Sequence, residues 1–433
     1  MNMNEENGKT FSRGILLGIL GTIIGAGLAF LLAWGFDWIS FGPGPDLSGV
    51  ISNNGNSTSS GASAGKSSKE EESVFYESLT SKGGYIKSIV DKYYLEEYEE
   101  EDLVDGAMEG MLAALGDPYT AYYDEEAFSD LMESSEGVYY GIGVVVQQDP
   151  ETKAVRVVKP YTSGPGYEAG IEPDDVIISV GEVDVQGMDI DEVVAMIRGE
   201  EGTTVDITLY RPSLKENYTV TVERRKIEVE TVEYEMLSQD MGYVGVSQFD
   251  VITTDQFDEA LTALENQGAK GIIVDLRDNP GGNLSTVVGM LDLLLPKGNY
   301  TYLVDKAGNR EDYNGEQDAK YNFPMVVLVN GNSASASELF TGAVRDYGVA
   351  TVVGETTFGK GIVQQLFSLR DGTGIKVTMA KYYTPNGECI HKTGIAPDVE
   401  VSLDEGEYAS IVSHEEDNQL QAGIEELKKR MAQ

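Results

Sequence analysis

The chain is poor in the residues on which several common chemistries depend. Of its 433 residues one is a cysteine, Cys389, and two are histidines, His391 and His414. A single cysteine excludes an intramolecular disulfide and a thiolate metal cluster. His414 belongs to His-Glu-Glu-Asp, which lacks the HExxH spacing of a zinc site, and His391 lies in a C-terminal turn, so a serine triad has no obvious histidine base. Basic residues are scarce too: 31 Lys and Arg stand against 73 Asp and Glu, a formal net charge of −42. Such a surface repels a polyanion, which argues against nucleic acid as a partner. No metal and no organic cofactor is expected.

What is present begins with one long apolar run. Gly14 to Phe36 is 23 residues without a charge, preceded by Lys9 and Arg13, with Trp34 and Trp38 at interfacial positions. At 1.5 Å per residue it spans a hydrocarbon core of roughly 30 Å. It exceeds a signal-peptide core and no clear cleavage site follows, so it predicts a retained single-pass anchor in the cell membrane. The basic flank places residues 1–13 in the cytoplasm and the bulk of the chain outside. Residues 37–72 follow, Gly/Ser/Asn-rich from Ser48 to Lys69, and read as a flexible tether with a reach of about 25 Å.

Residues 73–136 carry a helical pattern: Val104, Met108, Met111 or Leu112, and Leu115 recur at three- and four-residue intervals, and Gly116-Asp-Pro118 stops the run. Residues 137–226 read as a small β-rich module with one helix over Met188–Ile197. In 227–404, apolar strands alternate with helices, which argues for crossover connections and an open α/β core. The polar stretch Asn299 to Asn322 is expected to form a lid or a substrate-facing loop. In 405–433, an amphipathic helix is expected to pack on the core or on a second subunit.

The candidate chemistry lies in that α/β region. Pro324 to Asn330 is a buried-strand signature and a helical pattern follows Ser335, which puts this serine at a strand-to-helix turn. Unpaired N–H groups and the positive end of the helix dipole can stabilise an oxyanion there; a plain N-cap serine is the simpler alternative. A serine hydroxyl needs a base, and Lys360, 25 positions on between glycines, is a candidate in place of histidine. Its unperturbed pKa near 10.4 means that a neutral amine at pH 7 costs roughly 4 to 5 kcal/mol, so the site must desolvate it. The turn Asp278-Asn-Pro-Gly-Gly-Asn283 before a second helix can present backbone N–H groups with no side chain in the way.

DLRDNPGG, SASASE, GETTFGKGIVQ, YYTPNG and GIAPDVEV, in this order, closely resemble the carboxyl-terminal processing peptidases, or tail-specific proteases. The resemblance runs from about Ser73 to the end. It implies a crotonase/ClpP-like serine protease core of α/β class with an inserted β-rich PDZ domain at 137–226. Carried over by position, it makes Ser335 the nucleophile and Lys360 the general base, has Gln364 orient the amine, and marks Asp346 as a position the family needs. The N–H groups of Gly281 and Ala336 would form the oxyanion hole. It further implies that polypeptide C-termini bind at Tyr140, Gly141, Ile142 and Gly143, and that two copies join as a homodimer through the helical region. Arg198, at the end of the module helix, is expected to report peptide occupancy to the active site through a salt bridge. After YYTPNG the family continues with a basic or small pair, whereas Glu388-Cys389 stands here. Two alternatives remain open: a catalytically silent PDZ scaffold, and an acyl-CoA enzyme, since crotonase-like cores also stabilise oxyanions.

Overall fold

The computed structural model describes residues 67–150, 152–404 and 413–433. The expected anchor at 14–36 and most of the tether lie outside the described residues. Among those described, no helix is long and apolar enough to cross a membrane. The chain divides after Gly116 into two units.

The described part of the first unit is two helices, Ser67–Tyr93 and Glu100–Ala113. Lys87 joins them, reaching Asp91 at 2.6 Å and Glu100 at 2.9 Å. Glu100, Glu101 and Asp102 fill the first turn of the second helix, where its dipole favours acids. Neither helix has a core of its own. Phe75, Leu79, Ile86 and Ile89 on one, and Val104 and Met111 on the other, are all exposed.

The larger unit, Asp117–Gln433, is built on a six-stranded sheet. Val232–Met236, Met241–Val246, Gly271–Asp275, Met325–Val329, Ala350–Gly354 and Val399–Glu400 lie side by side in that order, antiparallel at the first pairing and parallel thereafter. The three strands at 241–246, 271–275 and 325–329 are buried along their whole length, as strands covered on both faces must be. Side chains alternate between faces. Ile272, Val274, Val327 and Val329 meet the helices Thr253–Gln267, Leu284–Leu294 and Ala336–Asp346, while Ile273, Val326 and Leu328 meet the terminal helix Asn418–Met431 through Leu420 and Leu427. The tail helix therefore packs on the core of its own chain.

A second, antiparallel sheet was not foreseen. Ala121–Tyr123, Gly374–Tyr383, Gly298–Asp305 and Arg310–Gly315 are neighbours in that order, and Ile362–Ser368 also pairs with Gly374–Tyr383. The stretch expected to be a lid or loop at Asn299–Asn322 is thus mostly a hairpin. Tyr300 is buried within it, and Asp305 Oδ1 accepts the N–H groups of Ala307 and Asn309 to close its turn.

The β-rich module forms as expected. Val144–Gln148, Val155–Pro160, Val176–Val180, Thr204–Arg211 and Glu216–Glu223 make an antiparallel sheet in that order, with Val183–Asp184 at its margin. The helix runs from Ile190 to Ile197, and Asp189 and Glu192 form a reciprocal capping box at its start. Val138–Gly141 pairs with Arg225–Glu228, so chain entry and exit are clasped together. The helix Glu125–Glu136, capped by Asp124 and ended by Gly137 at φ 71°, leads directly into that clasp.

One buried ion network secures the tail. Arg277 donates to Asp275 at 2.6 Å and to Asp417 at 2.7 Å, while Asp417 also caps Leu420 N–H at 2.9 Å. Removing the guanidinium strands two buried carboxylates, which costs on the order of 3 to 5 kcal/mol. Arg277→Ala should lower the unfolding free energy by that amount in urea titrations; a loss under about 1 kcal/mol would show that water reaches the network.

Candidate active site

Ser335 lies where strand Met325–Val329 gives way to helix Ala336–Asp346, as the apolar run followed by a helical pattern requires. Its backbone is strained, at φ 55° and ψ −113°, a conformation that costs a non-glycine residue about 1 to 3 kcal/mol. The residue is buried and its Oγ has no hydrogen-bond partner. Ser335 and Glu338 occupy capping-box positions, but the well-formed half runs from Ser335 N–H to Glu338 Oε2 at 2.9 Å. A plain N-cap serine would use its hydroxyl instead.

Glu338 is the residue that sequence reasoning passed over. Its carboxylate is buried, and it accepts Thr357 Oγ1 at 2.5 Å and Gly359 N–H at 2.7 Å on Oε1. On Oε2 it accepts Lys360 N–H at 2.8 Å, beside the Ser335 N–H. One oxygen thus holds the backbones of both predicted reactive residues. Burial pushes the Glu338 carboxyl above its ordinary range, and these four donors oppose that shift. Its sequence signal was the helix-start pattern of a serine followed three residues later by a glutamate. Nothing local said that the glutamate would also grip a loop 19 to 22 residues away.

Lys360 is buried, and its Nζ lies 4.5 Å from the ring centre of Tyr119. Tyr119 belongs to Asp117-Pro-Tyr-Thr120, read from sequence only as a helix stop. Asp117 forms an Asx turn, accepting Tyr119 N–H at 3.1 Å and the Thr120 hydroxyl at 2.7 Å. Burial raises the Asp117 carboxyl, but hydrogen bonds from Thr378, Thr120 and Tyr119, with the charge of Lys360, leave it below the ordinary carboxylate range. Gln364 is buried and donates to Thr378 Oγ1 at 3.1 Å, and Thr378 N–H donates to Thr120 Oγ1 at 3.1 Å. A register shift between Val363 and Gln364 sets Gln364 opposite Thr378. Gln364 and Asp117 therefore belong to one polar network beside the lysine.

The glycine turn reaches the serine. A Cβ on Gly281, which has φ 112°, would stand 2.8 Å from Ser335 Cβ and 3.0 Å from Ala336 N. On Gly282, at φ 144°, it would strike the Phe249 carbonyl at 2.3 Å. Only glycine fits either position. The Gly281 N–H, assigned by resemblance to an oxyanion hole, donates here to Asn279 Oδ1 at 2.9 Å. It is therefore committed, and it would have to leave Asn279 to serve a substrate. Ala336 is the first residue of the helix, so its N–H has no partner within the helix.

Asp346, grouped by resemblance with the catalytic residues, ends the helix that Ser335 begins. Eleven residues of rise put it about 16 Å away. It accepts Asn386 N–H at 2.9 Å and Arg345 at 3.2 Å, and Arg345 also binds Glu388 at 2.5 Å. Asp346 thus fastens the helix end to the Tyr-Thr-Pro-Asn-Gly turn, and Glu388, the visible departure from the family pattern, joins that fastening. His391 comes nearer to the site than its place in the chain suggested: a Cβ on Gly361 would lie 2.5 Å from its backbone nitrogen. Burial, with Lys392 and Lys381, holds its imidazole below the usual range.

In the β-rich module, Tyr140 is exposed, Gly141 and Ile142 are buried and Gly143 takes φ 68°. Arg198 caps the module helix, lies over the Tyr139 ring at 5.3 Å and pairs with Glu133 at 3.3 Å.

Three family models match the chain: Peptidase family S41 over residues 240–401, PDZ domain over 156–211, and Activating protease CtpB N-terminal domain over 48–127. The carboxy-terminal processing protease CtpA of Bacillus subtilis is 37% identical over 341 residues, covering 78% of this chain and 72% of that protein. The carboxyl-terminal-processing protease of Synechocystis is also 37% identical over 341 residues, covering 78% and 80%. The solved photosystem II D1 C-terminal processing protease is 30% identical, covers 73% of this chain and 85% of that one, and has a TM-score of 0.43.

Two measurements test the site's construction. Glu338→Gln replaces one accepting oxygen by an NH2 group facing N–H donors, and hydrogen bonds to a charged group are worth about 1.5 to 3 kcal/mol each. Peptidase kcat/KM should fall by roughly ten- to a hundredfold; unchanged kinetics would remove Glu338 from the machinery. Asp250, which adjoins Gly137 and the glycine turn, is pushed up to about 7 by burial. The folded state therefore holds this proton more tightly than the unfolded chain, and the associated stability is present below about pH 4 and lost as pH rises to 7. Asp250→Asn should gain up to about 4 kcal/mol over the parent at pH 8 and almost nothing at pH 4, read by urea unfolding at both.

Proposed function

The chain belongs to the carboxy-terminal processing proteases of peptidase family S41, serine-type enzymes that here carry a PDZ domain, and on that premise we propose a Ser335/Lys360 dyad fed by the PDZ domain. The observation that carries the dyad is the shared Glu338 oxygen, which holds the Ser335 and Lys360 N–H groups at 2.9 and 2.8 Å while Ser335 Oγ is left without a hydrogen bond.

In this reading the Lys360 amine, once neutral, takes the Ser335 proton as Oγ attacks the scissile carbonyl. The oxyanion forms at the helix N-terminus against Ala336 N–H, joined by Gly281 N–H after it leaves Asn279. Collapse expels the amine, which receives the proton from Lys360; water then gives a proton to Lys360 as it attacks the acyl-enzyme, and Lys360 returns it to Ser335 Oγ as the new carboxyl terminus leaves. Gln364 and the Asp117–Thr378 network position the lysine. Neither a metal nor an organic cofactor takes part.

The PDZ domain receives an exposed polypeptide C-terminus at Tyr140–Gly143, and cleavage follows nearby. Residues 14–36 anchor the protein as a single span with the catalytic part on the extracytoplasmic side, supported by their length and by Lys9 and Arg13. Two copies join through the helices at 67–113. The exposed apolar side chains of these helices support this, because a helix pair with such a face and no core needs a partner.

The test is casein degradation by the full chain beside Ser335→Ala and Lys360→Ala, followed by mass spectrometry of the fragments. Cleavage by the unmodified chain alone, with both variants folded, is the expected result. Cutting by Lys360→Ala would overturn the dyad, and three silent proteins, with or without added peptide, would favour the scaffold.

A further inference from the structure

The loop assigned to the peptide C-terminus already holds a carboxylate. Glu133 Oε1 accepts the Tyr140 N–H at 3.2 Å, and Glu133 Oε2 lies 3.3 Å from Arg198 Nη1. A carboxylate that bonds a loop N–H with one oxygen and a guanidinium with the other makes the pair of contacts a terminal α-carboxylate would make there. The Arg198 side chain also leans over the loop, within 3.9 Å of where a Gly141 Cβ would stand, and over the Tyr139 ring.

We infer that Glu133 is an internal stand-in for the C-terminal carboxylate of a polypeptide, and that an arriving C-terminus must displace it. The inference rests on the reading of Tyr140–Gly143 as the peptide loop. Both contacts are long, and the side chains are 28% and 41% exposed for Glu133 and Arg198, so the seat is weakly held and open to exchange. Glu133 is anchored close by. It stands on the helix Glu125–Glu136, in the last turn before the Gly137 cap that leads into the loop.

Displacement would be felt at the glycine turn. Two residues beyond Glu133, the Ser135 carbonyl accepts Asn283 Nδ2 at 2.9 Å in a buried contact. Asn283 follows directly on Gly281 and Gly282, and its N–H donates to the Phe249 carbonyl at 2.7 Å. Gly281 N–H is the donor now held by Asn279. The last turn of one helix therefore touches the peptide loop through Glu133 and the oxyanion turn through Ser135.

The experiment measures binding of a short fluorescein-labelled peptide ending in valine with a free carboxylate, by anisotropy, to the full chain carrying Ser335→Ala. Adding Glu133→Gln should tighten binding about two- to tenfold, the range open to a weak exposed ion pair. The same peptide with a C-terminal amide should show no gain, and Glu136→Gln, which removes an exposed charge from the same helix, should leave affinity unchanged. Equal or weaker binding by Glu133→Gln would overturn the inference and make Glu133 a brace. An equal gain from Glu136→Gln would reduce it to general charge repulsion and overturn it as well. If the peptide binds none of these proteins, the loop reading falls and the stand-in with it, while casein cleavage by the unmodified chain would still support the dyad.

Discussion

The site depends on a single buried carboxylate. Glu338 sits one turn into the helix that Ser335 begins, and it collects the N–H groups of Ser335, Gly359 and Lys360 with the Thr357 hydroxyl. A buried, uncompensated carboxylate is expensive, and four donors are what make this one tolerable. In return the loop carrying Lys360 cannot drift from the strand-to-helix turn without exposing that charge to unpaired surroundings. The constraint runs both ways. Thr357, which also accepts Ile395 N–H at 2.7 Å, ties one carboxylate oxygen, Oε1, to the chain beyond the second sheet. The lysine loop is therefore fixed at both of its ends by groups it did not supply.

Strain is placed around this anchor. Ser335 at φ 55° and the glycines at φ 112° and φ 144° form a close pair of turns, and a methyl group on either glycine would collide with backbone or with Ser335 itself. Such crowding buries Ser335 and both glycines. It also explains why Gly281 N–H is satisfied by Asn279 in the absence of substrate: a buried amide without a partner costs about 1 to 3 kcal/mol, so the turn supplies one from within. In the proposed mechanism, exchange of that partner for a substrate oxyanion would keep the Gly281 N–H paired throughout.

The alternating strands and helices of the α/β core, the glycine turn, the position of Ser335 and the β-rich module were legible because each has a local signature: an apolar run of strand length, paired glycines, a helix start, alternating strands. What was hidden is non-local. Glu338 looked like an ordinary third residue of a helix. Asp117 to Thr120 looked like a stop signal, and its side chains became part of the lysine's surroundings only because Ala121–Tyr123 adds to the edge of the second sheet. Residues 298–315 looked polar because one face of the hairpin is wet, and Tyr300 and Leu303 mark the apolar face that joins the core. Asp346 was grouped with the reacting residues by position in a motif, yet helix geometry sets it a helix length from Ser335, where it holds a turn.

Acidity gives the proposed peptide loop its remaining problem. On a chain of net charge −42, a seat for a carboxylate must overcome the surrounding field. Arg198 supplies the local positive charge, and a bare guanidinium amid so many acids would find a carboxylate of its own. Glu133 meets that need at a distance where the pair is weak, so the guanidinium stays oriented over the loop without being buried in a permanent bridge. A tighter pair would orient Arg198 as well but would exclude the peptide, and no pair would leave it to the nearest acidic side chain. On the proposed reading, an exchangeable carboxylate on the helix that also bonds Asn283 would let an acidic protein read another chain's terminus and register the reading beside Ser335.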